Sequence, residues 1–281
     1  PRNIVEAVLD RKVTQSFGSP AIWNRVGQYC ESHGVKLPTM RRVLSAGAPV
    51  PPHVLARMKD CIASDGEVHT PYGATEALPV ATISATEVLT ETRAAWANGA
   101  GTCVGSRFEG IDWKVIRISE EPLATMQDAV ELPAGEIGEL IVSGPVVTSR
   151  YVTRTEWNAL SKIADGERFW HRMGDVGYID AQGRFWFCGR KGHRVTTAEG
   201  PMYTVRCEAV FNQHPHVYRS ALVGIGPADN KRPVIIVECW PQHRPRRQSE
   251  RQRLIGELRK RAAATTLTDG IRDFLIHSAM P

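Results

Sequence analysis

Four short clusters in this chain set anion- and hydroxyl-handling side chains beside small residues. Ser45-Ala46-Gly47-Ala48-Pro49-Val50-Pro51-Pro52 closes a strand-like run in minimal side chains before prolines open a helix. Small residues at the carboxyl end of a strand let a ligand approach the backbone, which is where open α/β sheets bind ligands. Thr70-Pro71-Tyr72-Gly73-Ala74-Thr75-Glu76 supplies an aromatic face able to stack on a base and a glycine for an unusual turn. It adds a hydroxyl at Thr75 able to donate to a phosphate oxygen and a carboxylate at Glu76 able to hold Mg²⁺. His171-Arg172-Met173-Gly174-Asp175-Val176-Gly177-Tyr178 places Asp175 on an expected turn between strands, where a carboxylate can accept hydrogen bonds from vicinal hydroxyls. Phe187-Cys188-Gly189-Arg190-Lys191 ends a hairpin on Arg190, within reach of a ribose or phosphate. Taken singly, each has an ordinary alternative: a tight strand-to-helix turn, a loop with a helix cap at Thr75, a solvated turn aspartate, a surface cation beside a linker.

The elements that must position these clusters change character along the chain. Residues 3–12 and 21–33 carry helical periodicity, the second opened by Ser19-Pro20 and closed by Gly34. Strand patterns at 41–45 and 67–70 flank a helix from Pro52 to Ala63, which predicts an α/β layer over 1–100 with a largely parallel sheet. From Gly101 to Arg190 the pattern is β. Residues 113–118 alternate, 138–142 follow a Pro-Ala-Gly turn, and 178–187 read as a hairpin around a glycine-containing turn. After the boundary expected at 189–193, a helix at 203–212, strands at 220–224 and 234–240, a basic helix and a short strand near 273–276 predict a small α+β domain over 191–281.

Bulk properties limit the function classes. The chain has 281 residues, 42% hydrophobic and 23% charged, which is ordinary for a soluble globular protein, and no stretch reaches the roughly 18 apolar residues of a membrane span. Six widely spaced cysteines without a Cys-x-x-Cys pair argue against a disulfide framework or structural zinc and for a cytoplasmic setting. Of the net charge of +5, residues 242–261 carry +6, leaving the remainder at −1. Such a run could meet nucleic acid. Leu254, Ile255 and Leu258 instead make an apolar stripe at helical spacing, so the arginines are expected on a solvated face and no nucleic-acid partner is expected.

Tyr72-Gly73-Ala74-Thr75-Glu76, Gly138-Glu139-Leu140-Ile141-Val142-Ser143-Gly144, Arg172-Met173-Gly174-Asp175 and Gly189-Arg190-Lys191 stand in the order and spacing of the adenylate-forming superfamily of acyl-CoA synthetases, luciferases and peptide-synthetase adenylation domains. Ser16 to Ala21, Ser45 to Pro52, His69 to Glu76 with Leu78-Pro79-Val80-Ala81, Gly99 to Ser106 and His171 to Tyr178 together resemble one branch, the bacterial olefin-biosynthesis β-lactone synthetases. The resemblance implies an acyl-adenylating fold, incomplete at both ends: an α/β part (1–100), a β-barrel-like subdomain (101–190) and a small mobile domain (191–281). It implies ATP and Mg²⁺, AMP as product, and a long-chain 3-hydroxy carboxylic acid whose own hydroxyl displaces AMP from the acyl-adenylate to close a β-lactone. Partner enzymes of olefin biosynthesis could form a complex with it. By position, Tyr72, Gly73, Gly47 and Ala48 would line the adenine slot, Thr75 would contact phosphate, Glu76 would ligate Mg²⁺, Asp175 would bind the ribose hydroxyls and Arg190 would support ribose or phosphate. Phe17, Gly18 and Leu78 would face the acyl group.

The pattern also departs from the family. Its Ser/Thr/Gly-rich phosphate loop is missing, and no lysine follows Lys260 where the family's catalytic lysine is expected. The chain therefore reads as part of a longer enzyme; alone it is expected to adenylate poorly. Gly192 takes the hinge position, where CoA-forming members usually carry an acidic residue. Glycine still permits the large φ/ψ changes of a hinge. Loss of the lysine-and-glycine pattern beyond it argues against CoA as a cosubstrate and for a second step without a thiol, with acyl-CoA ligation kept as the alternative. A non-catalytic nucleotide-binding or interaction module with a basic helix is the reading from another class.

Overall fold

Local chemistry sets the first elements of the computed structural model, which describes residues 1–280. Helix α1 (Arg2–Asp10) turns Val5 and Val8 inward, and strand β1 (Gln15–Gly18) leads into helix α2 (Pro20–His33). Helix α2 starts where the Ser19 hydroxyl accepts the Ile22 N–H at 3.4 Å, with Pro20 in its first turn. It stops at Gly34, whose φ of 64° suits a residue without a Cβ. Strand β2 (Arg42–Ser45), helix α3 (Pro52–Cys61) and strands β3 (Glu67–Ala74) and β4 (Ala77–Ser84) follow. Strands β5 (Thr102–Cys103) and β6 (Ser106–Arg107) come after a helical stretch opened by a capping box at Ser84 and Glu87. The first sheet runs β1-β2-β3-β4-β6. Its first three strands are parallel, but β4 and β6 join antiparallel, so the sheet is mixed rather than largely parallel. Trp23, Leu55 and Met58 are almost fully buried, and the Trp23 indole donates to the Leu44 carbonyl at 3.1 Å.

Strands β7 (Asp112–Ile116), β8 (Gly138–Ser143), β9 (Lys162–Asp165), β10 (Arg168–Ile179) and β11 (Phe185–Arg190) belong to a second sheet, ordered β5-β11-β10-β8-β7 with β9 on β10. The turn between β10 and β11 is built on Asp180, which accepts the backbone N–H groups of Gln182 and Arg184, both at 2.9 Å, while Gly183 takes a φ of 76°. The expected hairpin is therefore present. All six residues of β8 are buried, Glu139 among them. Its charge is met by Arg172, whose guanidinium reaches the carboxylate at 2.6 and 3.2 Å and also donates to the Ser119 and Glu121 carbonyls.

The chain divides into two compact units. The first holds Pro1–Arg93, Cys103–Met173 and Ile179–Trp186; the second holds Ala94–Thr102, Gly174–Tyr178 and the chain from Phe187 onward. In the second unit, β12 (Val195–Thr197) pairs with β13 (Gly200–Met202), and β14 (Val217–Ile225), β15 (Arg232–Cys239) and β16 (Asp273–His277) form a three-stranded sheet. Helices Thr204–Asn212 and Gln248–Ala262 give this sheet its core partners, with Cys207, Phe211, Ile235, Leu254, Leu258 and Phe274 buried together. The basic stretch is thus a docked helix: Leu254 and Leu258 point inward while Arg253, Arg259 and Lys260 are exposed. The architecture is the expected one, α/β layers and a β-rich sheet followed by a small α+β part.

All six cysteines are free and buried. Burial raises each thiol's pKa, to about 12 for Cys61, Cys188 and Cys207 and about 11 for Cys103. Among the described residues, no helix is long and apolar enough to cross a membrane.

Candidate functional site

In the first unit, parallel register gathers the expected residues at one edge. Phe17 pairs with Leu44 and Gly18 with Ser45, so β1 and β2 end together, and β3 runs past them to Ala74. Phe17 is 68% exposed at that edge, while Gly18 is buried because the Trp23 indole stands 3.1 Å from where a Cβ would be. Just beyond β2, Gly47 has a φ of 97° with open space around it and Ala48 is exposed, leaving room for a flat ligand against backbone. Ser45, 1% exposed, has no hydrogen-bond partner for its hydroxyl among the described residues.

The Thr70–Glu76 cluster is strand rather than loop up to Ala74. Tyr72 and Gly73 lie inside β3, where the register with β4 shifts between Tyr72 and Ala74. Gly73 is required sterically: a Cβ there would stand 2.4 Å from the Ala77 carbonyl oxygen. Tyr72 packs toward Phe185, ring centroids 5.9 Å apart, so it is a half-buried wall and not a free aromatic. Thr75 and Glu76 form the two-residue connection to β4, and Leu78 beyond it is 53% exposed.

Glu76 is the most organised of these groups. Its Oε1 accepts the Tyr151 hydroxyl at 2.7 Å, and among the described residues no donor meets Oε2. Burial works to raise its pKa, but the Tyr151 hydroxyl, its own backbone N–H and then the neighbouring His171 and Lys162 together hold it below the usual carboxylate value. It is therefore an anion at neutral pH with one oxygen open, which suits a hard cation that prefers one or two carboxylates plus phosphate oxygens. Among the described residues no cluster of three His, Cys, Asp or Glu could hold a metal unaided. The Lys162 ammonium donates to the Thr148 carbonyl and lies 5.9 Å from the Tyr151 ring and 5.5 Å from the Phe169 ring. Burial pushes its pKa down to about 8, with Glu76 pulling the other way. His171, 3% exposed, donates from Nδ1 to the Ser161 carbonyl at 3.2 Å, and burial followed by the Lys162 charge pushes its pKa down to about 4.

In the second unit the expected aspartate is not on a turn. Asp175 lies inside β10 and is 4% exposed, because the flanking glycines that suggest a turn are absorbed within the strand, Gly174 at φ 65°. Arg190 ends β11 and donates to Asp175 Oδ1 at 2.6 Å, its own side chain 53% exposed. Gly189 before it takes a φ of 142°, and a Cβ there would meet the Thr204 hydroxyl at 2.7 Å. Gly192 sits in a short 3-10 turn, Lys191–His193, with open space on its Cα. No sequence motif marks Tyr151 or Lys162: Tyr151 bonds Glu76 from 75 positions away along the chain. His171 sat inside a quoted motif without a role.

The AMP-binding enzyme family matches residues 1–152. Over its whole length the chain is 48% identical to an olefin β-lactone synthetase of Stenotrophomonas maltophilia and 44% identical to one of Xanthomonas campestris pv. campestris, covering 50% of each. A 4-chlorobenzoate–CoA ligase of an Arthrobacter species is 29% identical over 80% of the chain and 39% of that protein. Among solved structures, the amide bond synthetase McbA of Marinactinospora thermotolerans superposes on the whole chain and 52% of that chain with a TM-score of 0.78 at 22% identity. The O-succinylbenzoate–CoA synthetase of Bacillus subtilis, in complex with ATP and magnesium, does so with 0.75 at 20% identity and 50% of its length. The chain spans about half the length of the two curated β-lactone synthetases.

Proposed function

The chain belongs to the AMP-binding enzyme family, and from that premise we propose that it contributes to ATP-dependent activation of a long-chain 3-hydroxy carboxylic acid followed by β-lactone closure. The observation that carries this reading is the 48% identity to an olefin β-lactone synthetase across the whole chain. In the first step a carboxylate oxygen of the acid attacks the α-phosphorus of ATP, forming the acyl-adenylate and expelling pyrophosphate. In the second, the 3-hydroxyl oxygen attacks the acyl carbon, its proton is lost, and the carbon–oxygen bond to AMP breaks.

Both partners of the first step are anionic, so cations and donors must offset their repulsion. Mg²⁺ held by Glu76 would supply charge to the phosphate oxygens. Thr75, on the connection beside it, would donate to the same phosphate. Tyr72, Gly73, Gly47 and Ala48 would form the adenine slot, the open ground over Gly47 giving the base access to backbone. Asp175 would accept the ribose hydroxyls and Arg190 would hold Asp175 in place or reach the phosphate. The exposed Phe17 and Leu78, with Gly18 between sheet and Trp23, would meet the acyl chain. Gly192 would be the hinge between half-reactions. Reduced, buried cysteines agree with a cytoplasmic enzyme. A complex with other olefin-biosynthesis enzymes would pass on the apolar product.

Acyl-CoA ligation is the second reading, favoured by the 29% identity to a CoA ligase. A mass-spectrometric product assay separates the two. The gene product carrying this chain is given ATP, Mg²⁺ and a 2-alkyl-3-hydroxy fatty acid, with and without CoA. Lactone and AMP without CoA are the expected result. Product only with CoA moves the protein to the ligases, and no AMP from any acid overturns both.

A further inference from the structure

Residues 147–162 surround Glu76 from a part of the sequence that no motif marks. Val147 forms a β-bridge with Ala77, and the Thr148 N–H donates to the Glu76 carbonyl at 2.8 Å, so the backbone on either side of the carboxylate's anchor is tied down. Three residues further on, the Tyr151 hydroxyl reaches Glu76 Oε1 at 2.7 Å. Tyr151 is itself braced. Its N–H donates to Asn158 Oδ1 at 2.7 Å, the Asn158 amide donates back to its carbonyl at 3.3 Å, and the Lys162 ammonium lies over its ring.

A glutamate side chain has several free torsions, and an unheld carboxylate loses orientation on every rotation. A phenol fixes one oxygen without neutralising the group, whereas a guanidinium in the same place would compete with a bound cation. We propose that Tyr151 is a positioning residue for Glu76: its hydroxyl occupies Oε1 and sets the carboxylate so that Oε2 is presented to the Mg²⁺ of Mg·ATP. The proposal rests on the assignment of Glu76 to Mg²⁺ in the function proposed above. Outer-shell partners of this kind typically alter metal affinity about 10- to 100-fold.

The test is calorimetric binding of ATP, without acid substrate, in EDTA and in excess Mg²⁺, by the gene product carrying this chain. Tyr151→Phe keeps the ring and its packing on Lys162. It is expected to lose about tenfold in affinity for Mg·ATP, to leave affinity in EDTA and the melting midpoint unchanged, and to cost nothing further in a Glu76→Gln background. Mg·ATP affinity within about twofold of wild type, an equal loss in EDTA, or an equal loss in the Glu76→Gln background overturns the proposal. Lys162→Met is an independent variant that keeps the hydroxyl and removes the brace; it is expected to weaken Mg·ATP by about threefold, and no weakening counts against the braced geometry. Val152→Ala, one position on and 87% exposed, is expected to change nothing. Wild-type protein that binds ATP equally in EDTA and in Mg²⁺ removes the role of Glu76 and the proposal with it, whereas Mg·ATP binding with no acid-dependent AMP would defeat only the proposed reaction.

Discussion

Glu76 in the first unit and Asp175 in the second are both held in defined settings, and the two settings differ in the charge of the partner. In the first unit Glu76 is bonded by a neutral phenol and keeps an oxygen open. In the second, Asp175 is 4% exposed and ion-paired with Arg190 at 2.6 Å. A neutral donor leaves the full negative charge available to attract a cation. A cationic partner offsets that charge at the cost of desolvating both groups, and leaves a carboxylate suited to accepting hydrogen bonds from neutral hydroxyls. Under the function proposed above, the same chemical group would serve two different ligands according to what stands beside it. A third carboxylate, Glu139, sets the structural extreme: it is 1% exposed and ion-paired with Arg172, whose guanidinium also donates to the Ser119 and Glu121 carbonyls.

The largest expected effect tests that extreme. Arg172→Met leaves Glu139 buried without its cation and should lower unfolding stability by about 3–5 kcal/mol, read from urea denaturation. A loss below about 1 kcal/mol would mean that Glu139 is no more committed to structure than the other two carboxylates. Next, Glu76→Gln removes the charge that the open setting preserves, and should reduce acyl-adenylate formation on the order of 10²- to 10³-fold with little change in melting. Asp175→Asn should weaken nucleotide binding by about 1.5–3 kcal/mol, by loss of hydrogen bonds to a charged acceptor, and do so with or without Mg²⁺. If its effect vanished in EDTA, the contrast between a cation site and a hydroxyl site would collapse. Arg190→Ala should cost less, about 1 kcal/mol or below, since its side chain is half exposed.

The smallest effect is a pH dependence confined to the first unit. His171 has its pKa pushed down from 6.5 to about 4, so the folded protein binds fewer protons than the unfolded chain between those values. Stability should therefore fall as pH drops from about 6.5 toward 4, and His171→Leu should flatten that limb in acid-titrated denaturation midpoints. Lys162, lowered from 10.5 to about 8 and only partly buried, should add a weaker gain in stability as pH rises from about 8 to 10, absent in Lys162→Met.

What the sequence discloses divides along the same lines. The ends of α2 follow from side-chain capping and a left-handed glycine within a few residues, and the Asp180–Gly183 turn from an aspartate bonding its own backbone; both are local and both are present. The basic helix was legible because three apolar residues at helical spacing face a core. The sequence around Asp175 reads as a turn because Gly174 and Gly177 suggest a break, yet strand pairing absorbs them, Gly174's positive φ included. The strand expected at 67–70 runs on through Tyr72 to Ala74 for the same reason, tertiary pairing overriding local composition. The parallel sheet was half seen, since antiparallel β4 begins only two residues after β3 and its apolar run resembles a motif tail. The Tyr151–Glu76 contact was not legible at all. A hydrogen bond spanning 75 positions leaves no periodicity in a single chain.

The buried thiols have a use that follows from where they lie. Cys30, Cys61 and Cys103 belong to the first unit, and Cys188, Cys207 and Cys239 to the second. A thiol shielded from solvent and held protonated is nearly inert to alkylating reagents until its surroundings open. Modification rates resolved by peptide mass spectrometry would then act as two built-in clocks, three sulfurs timing the opening of each unit without any label being engineered.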